Sequence, residues 1–194
     1  MGASAIDCFV ASCLCAMQYH SFCQSIALAD HGTRRLGNGE MELDDAVTFQ
    51  PPAGYYIEDL SIGMTDRFAK TVTEADIVLF SGVSGDTNPV HLDEEYAAMT
   101  RFKGRITHGM LNASFISAVL GTRLPGPGSI YVSQNLKFRA PVRPGDTVTA
   151  ICTVSAIDRD RQRVTMDTVC VVRDHKVITG DAVLLVPSRE TLAV

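Results

Sequence analysis

His108-Gly109-Met110-Leu111-Asn112-Ala113-Ser114-Phe115-Ile116-Ser117-Ala118-Val119-Leu120 is the stretch on which the fold turns. At 3.6 residues per turn its apolar residues fall on nearly every face, broken only by small polar ones. Such a helix has no solvated side and belongs inside the molecule. No carboxylate lies on it. Working outward, Leu124-Pro125-Gly126-Pro127-Gly128 must be a loop, and beyond it the period changes from 3.6 to 2. Ile130 to Ala140 reads as one strand. Val148, Ala150, Cys152, Val154 and Ala156 alternate with Thr and Ser in a second; Val164, Met166, Thr168, Cys170 and Val172 mark a third; Val177 to Val186 is a fourth. Pro144-Gly145-Asp146, Asp158-Arg159-Asp160 and Arg173-Asp174-His175 supply the turns. One buried helix followed by an antiparallel meander predicts an α+β domain in which the sheet wraps the helix.

On the other side of the helix, Phe68 to Val72 reads as a short strand and Thr73-Glu74-Ala75-Asp76 as a capping box. Ile77, Val78 and Phe80 then supply helical apolar positions. This second helix delivers the chain to Phe80-Ser81-Gly82-Val83-Ser84-Gly85-Asp86-Thr87-Asn88-Pro89-Val90-His91. On one continuous helix Asp86 and His91 would point about 140° apart. Pro89 argues against continuity and pushes Asn88 toward an extended or turn conformation. A turn that brings a carboxylate and an imidazole together is what acid–base chemistry on a small substrate needs. Asp-x-Asn-Pro is equally good turn chemistry with no catalytic purpose, and from these residues alone both readings stand. A calcium loop fits poorly, with no Gly at its sixth position. A zinc site fits poorly too, since the motif holds one His and no Cys. Gly109, opening the buried helix, would present a free backbone N–H in a positive dipole field, suited to a carbonyl oxygen. Close packing of a helix start is the other reason for a glycine there.

The chain has 194 residues and a formal net charge of −5. Six acids and two arginines fall within residues 1–50, so the remainder is near −1 and no broad basic face argues for nucleic acid. The apolar runs are too short to span a bilayer. Cys152 and Cys170, inside strand patterns, read as small buried hydrophobes of a reducing, cytoplasmic compartment. Residues 1–53 are unlike the rest and are expected to be a disordered N-terminal extension, the folded domain running over residues 54–194. The apolar run from Cys8 to Met17 lacks the positive flank of a secretory signal. Cys8, Cys13, Cys15, Cys23 and His20 sit at no recognised metal spacing. Met41 is a candidate for the true start.

Gly85-Asp86-Thr87-Asn88-Pro89-Val90-His91, followed by His108-Gly109-Met110, resembles the MaoC-like hydratases, the (R)-specific enoyl-CoA hydratases and 3-hydroxybutyryl-CoA dehydratases. Leu124 to Tyr131 and Phe138 to Asp146 extend the resemblance, which covers about Tyr55 to Pro187. It implies a hot dog fold, a homodimer, and an acyl-CoA thioester as substrate, with no metal or redox cofactor. It implies that Asp86 and His91 hold a water and shuttle its protons, that Asn88 braces their turn, and that the Gly109 N–H faces the thioester oxygen. Ser117 matches a position where the family often has Ser near the acid; a small residue for helix packing is the plain alternative. His108 reads as a helix-start residue that positions the glycine. Lys103, Arg105, Arg139 and Arg143 are either CoA-phosphate contacts or surface charges. Hot dog thioesterases and carrier-protein dehydratases that place an acid on the central helix fit less well, because residues 108–120 hold none. A non-catalytic acyl-CoA-binding module would not need the acid and imidazole together.

Overall fold

The structure, a computed structural model, describes residues 54–190. The expectations for residues 1–53, namely the extension, its cysteines and His20, and the start at Met41, lie outside the described residues. Strand β1 (Thr65–Thr71) is followed by helices α1 (Glu74–Ser84), α2 (Pro89–Leu92) and α3 (Glu94–Met99), and then by the central helix α4 (Gly109–Thr122). Strands β2 (Ile130–Phe138), β3 (Thr147–Asp158), β4 (Arg163–Val172) and β5 (His175–Leu185) complete one sheet. Its order is β1-β3-β4-β5-β2, with every pairing antiparallel. The α+β hot dog arrangement is thus present, with the sheet curling over one face of α4.

The core forms where the two periodicities meet. Leu111, Phe115, Ile116, Val119 and Leu120 of α4 bury against Val148, Ala150, Cys152 and Val154 of β3 and Val164, Met166 and Cys170 of β4. Burying each such aliphatic side chain contributes about 1.5–3 kcal/mol before entropy is counted. Desolvation pushes the thiols of Cys152 and Cys170 up to about 12, so both are inert packing groups.

The alternation expected in β3 fails at Ala156, which faces solvent. A bulge between Val154 and Ala156 inserts Ser155 opposite no partner, inverts the phase, and turns Ile157 back onto the core. One apolar position expected in α1 also departs from the pattern. Ile77 is fully buried, but Val78 is 60% exposed, because α1 lies at the rim and buries a narrow stripe.

Candidate active site

The capping box is formed as the sequence predicts. The Asp76 N–H donates to Thr73 Oγ1 at 3.3 Å, and the Thr73 N–H donates to Asp76 Oδ2 at 2.8 Å. Helix α1 ends at Gly85, whose φ of 75° is left-handed and would strain any residue with a β-carbon. That reversal separates α1 from α2 and starts the turn carrying Asp86. The Asn88 N–H donates to Asp86 Oδ1 at 3.2 Å, while Asn88 Oδ1 accepts from the Val90 N–H at 3.2 Å. Pro89 takes the first helical position, where no N–H is needed. One short turn of helix then carries His91 back toward the acid, leaving Nε2 of His91 3.9 Å from Oδ2 of Asp86.

Carbonyl partners fix the imidazole tautomers, since a carbonyl oxygen can only accept. His91 Nδ1 lies 2.8 Å from the Ile106 carbonyl oxygen and therefore carries a proton. In the neutral ring Nε2 is bare and faces the Asp86 carboxylate. Burial lowers the His91 pKa below its ordinary 6.5, and the nearby His108 lowers it further; the Ile106 bond and the Asp86 charge act in the opposite direction. Asp86 itself is about half exposed.

His108 is the N-cap of α4 and only 1% exposed. Its side chain does not cap the helix. Nε2 instead lies 3.0 Å from the backbone carbonyl oxygen of Asp86 and 3.2 Å from Ser81 Oγ, so the proton sits on Nε2. The His108 ring lies against that of His91, with centroids 3.9 Å apart and planes at 34°; Phe80 contacts it at 5.1 Å. Among the described residues Asp86, His91 and His108 offer ligand-type atoms within 4.8 Å of one another. A metal there would have to draw on the buried Nδ1 of His108 or break its bond to Asp86.

The Gly109 N–H has no hydrogen-bond partner among the described residues, as expected for a first helical position. Gly109 and His91 both line a cleft of about 210 Å³, with Asn112, Phe138, Arg101 and Arg139 among its other walls. A β-carbon on Gly109 would lie 2.8 Å from the Phe138 ring, so close approach of that ring is a second reason for glycine. The structure therefore joins Asp86, Asn88 and His91 in one turn and sets His91 and Gly109 on one cleft. Ser117 joins neither group, being exposed and about 12 Å farther along α4 than Gly109. Neither expectation for Ser117, beside the acid or packed between elements, is met within one chain.

Of the four cationic candidates, Arg105 pairs with Glu74 at 2.7 Å and Glu94 at 3.2 Å. The Arg143 guanidinium donates to the carbonyls of Phe102, Gly104 and Arg105. These two are structural. Arg139 lines the cleft, and Arg101, which the sequence did not single out, lines it as well. Asn112 and Thr107 were missed too. Their bond, Asn112 Nδ2 to Thr107 Oγ1 at 2.7 Å, spans five residues around the helix start.

The family described as MaoC like domain matches residues 61–176. The chain belongs to that family. It is 57% identical over 135 residues to an "(R)-specific enoyl-CoA hydratase" of Rhodospirillum rubrum, covering 70% of this chain and 94% of that protein. It is 47% identical to a "3-hydroxybutyryl-CoA dehydratase" of Methylorubrum extorquens, over 70% of this chain and 86% of the relative. The solved (R)-hydratase from A. caviae involved in PHA biosynthesis superposes with a TM-score of 0.65 at 41% identity, covering 67% of this chain and 99% of that one. As a MaoC-like protein with hydratase and dehydratase relatives, the chain is an enzyme of the hydro-lyase class. Among the described residues no helix is long and apolar enough to cross a membrane.

Proposed function

We propose that this MaoC-like enzyme catalyses the reversible syn addition of water to a trans-2-enoyl-CoA, crotonyl-CoA being the first candidate, to give the (R)-3-hydroxyacyl-CoA. The observation that carries the reading is the pairing of a bare His91 Nε2 with Asp86 Oδ2 at 3.9 Å, beside the cleft onto which Gly109 opens. Two acceptors at that separation can each take a hydrogen bond from one water. A lone pair of the water oxygen forms the C3–O bond as His91 Nε2 takes one of the water's protons, the electrons of that O–H bond staying on the oxygen. The C2=C3 electrons move onto the thioester oxygen, which the Gly109 N–H stabilises at the positive end of α4. When that charge returns, C2 takes the proton from His91 on the same face, which makes the addition syn. Asn88 braces the acid throughout. Removing one preorganised oxyanion donor typically costs about 10²–10³ in rate.

Dimerisation through the β2 side and operation in the cytoplasm belong to the same proposal. β2 is an edge strand with Ile130, Tyr131 and Val132 all substantially exposed, an edge that a second copy would cover.

The test follows loss of the enoyl absorbance with crotonyl-CoA and determines the stereochemistry of the product. (R)-3-hydroxybutyryl-CoA is expected. No hydration of short- or medium-chain enoyl-CoAs, with turnover only of carrier-protein thioesters, would move the substrate assignment; turnover of neither would favour a binding module.

A further inference from the structure

His108 belongs to neither half of the reaction just described, yet it is the most enclosed polar side chain near it. A histidine at a helix start has an inexpensive alternative, which is to point its ring into water. Here His108 is 1% exposed and its ring packs against those of Phe80 and His91. Its Nδ1 has no hydrogen-bond partner among the described residues. Burying an unpartnered ring nitrogen is unfavourable, so the position needs a compensating role. Two contacts supply it. Nε2–H donates to the Asp86 carbonyl at 3.0 Å, with Ser81 Oγ at 3.2 Å, and the ring face covers His91 at 3.9 Å.

We infer that His108 is a positioning residue that locks the acid and the base together, its Nε2–H tethering the Asp86 backbone and its ring face shielding His91. The inference rests on the acid–base reading of Asp86 and His91. The tether acts where it is needed. Asp86 follows the left-handed Gly85, and its carboxylate is held on one side only, by the Asn88 N–H on Oδ1. Without the bond from His108, the Asp86 backbone would keep only the contact of its own N–H with Ser84 Oγ at 3.2 Å, which ties it to the end of α1 and not to His91, whose own position is set by Ile106. A displacement of about 1 Å in a reacting group can cost about 10²-fold in rate. The shield acts on protonation. The charged and titratable groups around His91 are Asp86 from the preceding turn, His108 from the start of α4, and Arg101 and Arg139 across the cleft. Of these, His108 is the one that also excludes water from the ring face. The same helix start thus presents the Gly109 N–H to the cleft and fixes the acid–base pair beside it.

Two substitutions divide the roles. His108→Gln keeps an amide donor and removes the ring; His108→Phe keeps a ring and removes the donor. For His108→Gln the acid limb of kcat/KM moves to higher pH, because His91 gains water and loses a neighbouring imidazole. For His108→Phe kcat falls by about 10²-fold with KM little changed, and the limb stays nearer the wild-type position. A purely structural residue would lower the active fraction and leave the limb in place. An unmoved limb in folded His108→Gln, or wild-type kcat in folded His108→Phe, overturns the inference. If neither variant folds, ¹⁵N-histidine spectra of the wild type decide it: His108 is expected protonated at Nε2 and His91 at Nδ1, and a His108 proton on Nδ1 refutes the tether. Failure of the underlying reading looks different. Asp86→Asn and His91→Gln would then retain wild-type rates whatever His108 does.

Discussion

Nε2 of His91 stands 3.9 Å from Oδ2 of Asp86, too far for a direct hydrogen bond and close enough for one water to reach both. Groups that act on the same water are not independent. Asp86→Asn and His91→Gln should each lower kcat with crotonyl-CoA by about 10²–10⁴-fold, with smaller changes in KM. The double variant should lose little more than the worse single. Losses that multiply would mean that the two side chains serve different steps.

The pH dependence follows from burial of His91. Its pKa is lowered from 6.5, first by desolvation and then by His108, against the opposing Ile106 bond and Asp86 charge. The base form is therefore retained below pH 6.5, and the acid limb of kcat/KM should lie on the acid side of that value. Stability shares the sign. A histidine whose native pKa is depressed binds fewer protons when folded, so its contribution is full above pH 6.5 and is lost as the pH falls through the lower native pKa. Urea unfolding at pH 5 and 7.5 should show a larger acid loss in wild type than in His91→Gln.

Gly109 can be tested through its N–H without dismantling the helix. Proline is favoured at a first helical position, and the preceding His108 already has the extended φ of −60° and ψ of 132° that proline requires. Gly109→Pro should fold and lose about 10²–10³ in kcat as the oxyanion donor disappears. Gly109→Ala keeps the N–H and displaces only the Phe138 ring, so it controls for sterics and should lose markedly less. Equal losses would count against an oxyanion role.

Arg143 connects the sheet side of the cleft to the loop before α4. Its guanidinium donates to the carbonyls of Phe102, Gly104 and Arg105, and that loop supplies the cleft residues Arg101, Phe102, Ile106 and Thr107. Charge-assisted bonds of this kind contribute about 1.5–3 kcal/mol each when partly buried. Arg143→Met should lower the melting temperature and raise KM more than it lowers kcat, checked by thermal unfolding and steady-state kinetics. A KM unchanged in a destabilised protein would separate the loop from the substrate site.

What the sequence made legible was local. The Thr73 capping box, the Pro89 break, the period-two strands and the helix opening at Gly109 each depend on residues a few positions apart, and each is found in the structure. What it hid depends on pairing or packing across distance. The β3 bulge that turns Ala156 outward exists only because β4 fixes the register on both sides of it. The contact of His108 with Asp86 joins residues 22 apart, so His108 read as a helix start and its hold on the acid was invisible. Arg143 looked like a surface cation because its carbonyl partners lie about 40 residues upstream. Ser117 entered through resemblance alone, and one chain leaves it in solvent.

The exposed edge gives the last prediction. β2 closes one side of the sheet, and among the described residues eight of its nine pair with β5 and none with another strand. Long apolar edge strands are rarely left open, because their free N–H and C=O groups template further pairing. Here Ile130 is 59% and Val132 47% exposed, and Val132 is the extra residue at the shift between Tyr131 and Ser133. A bulge bends an edge strand but does not make it polar. A second copy of the chain would cover this edge, so the wild type should be a dimer by light scattering. Val132→Lys, which puts a charge on that edge, should shift the equilibrium toward monomer while the far-ultraviolet spectrum keeps its shape. A monomeric wild type at assay concentrations would refute the dimer, and a Val132→Lys protein as dimeric as wild type would place the interface elsewhere.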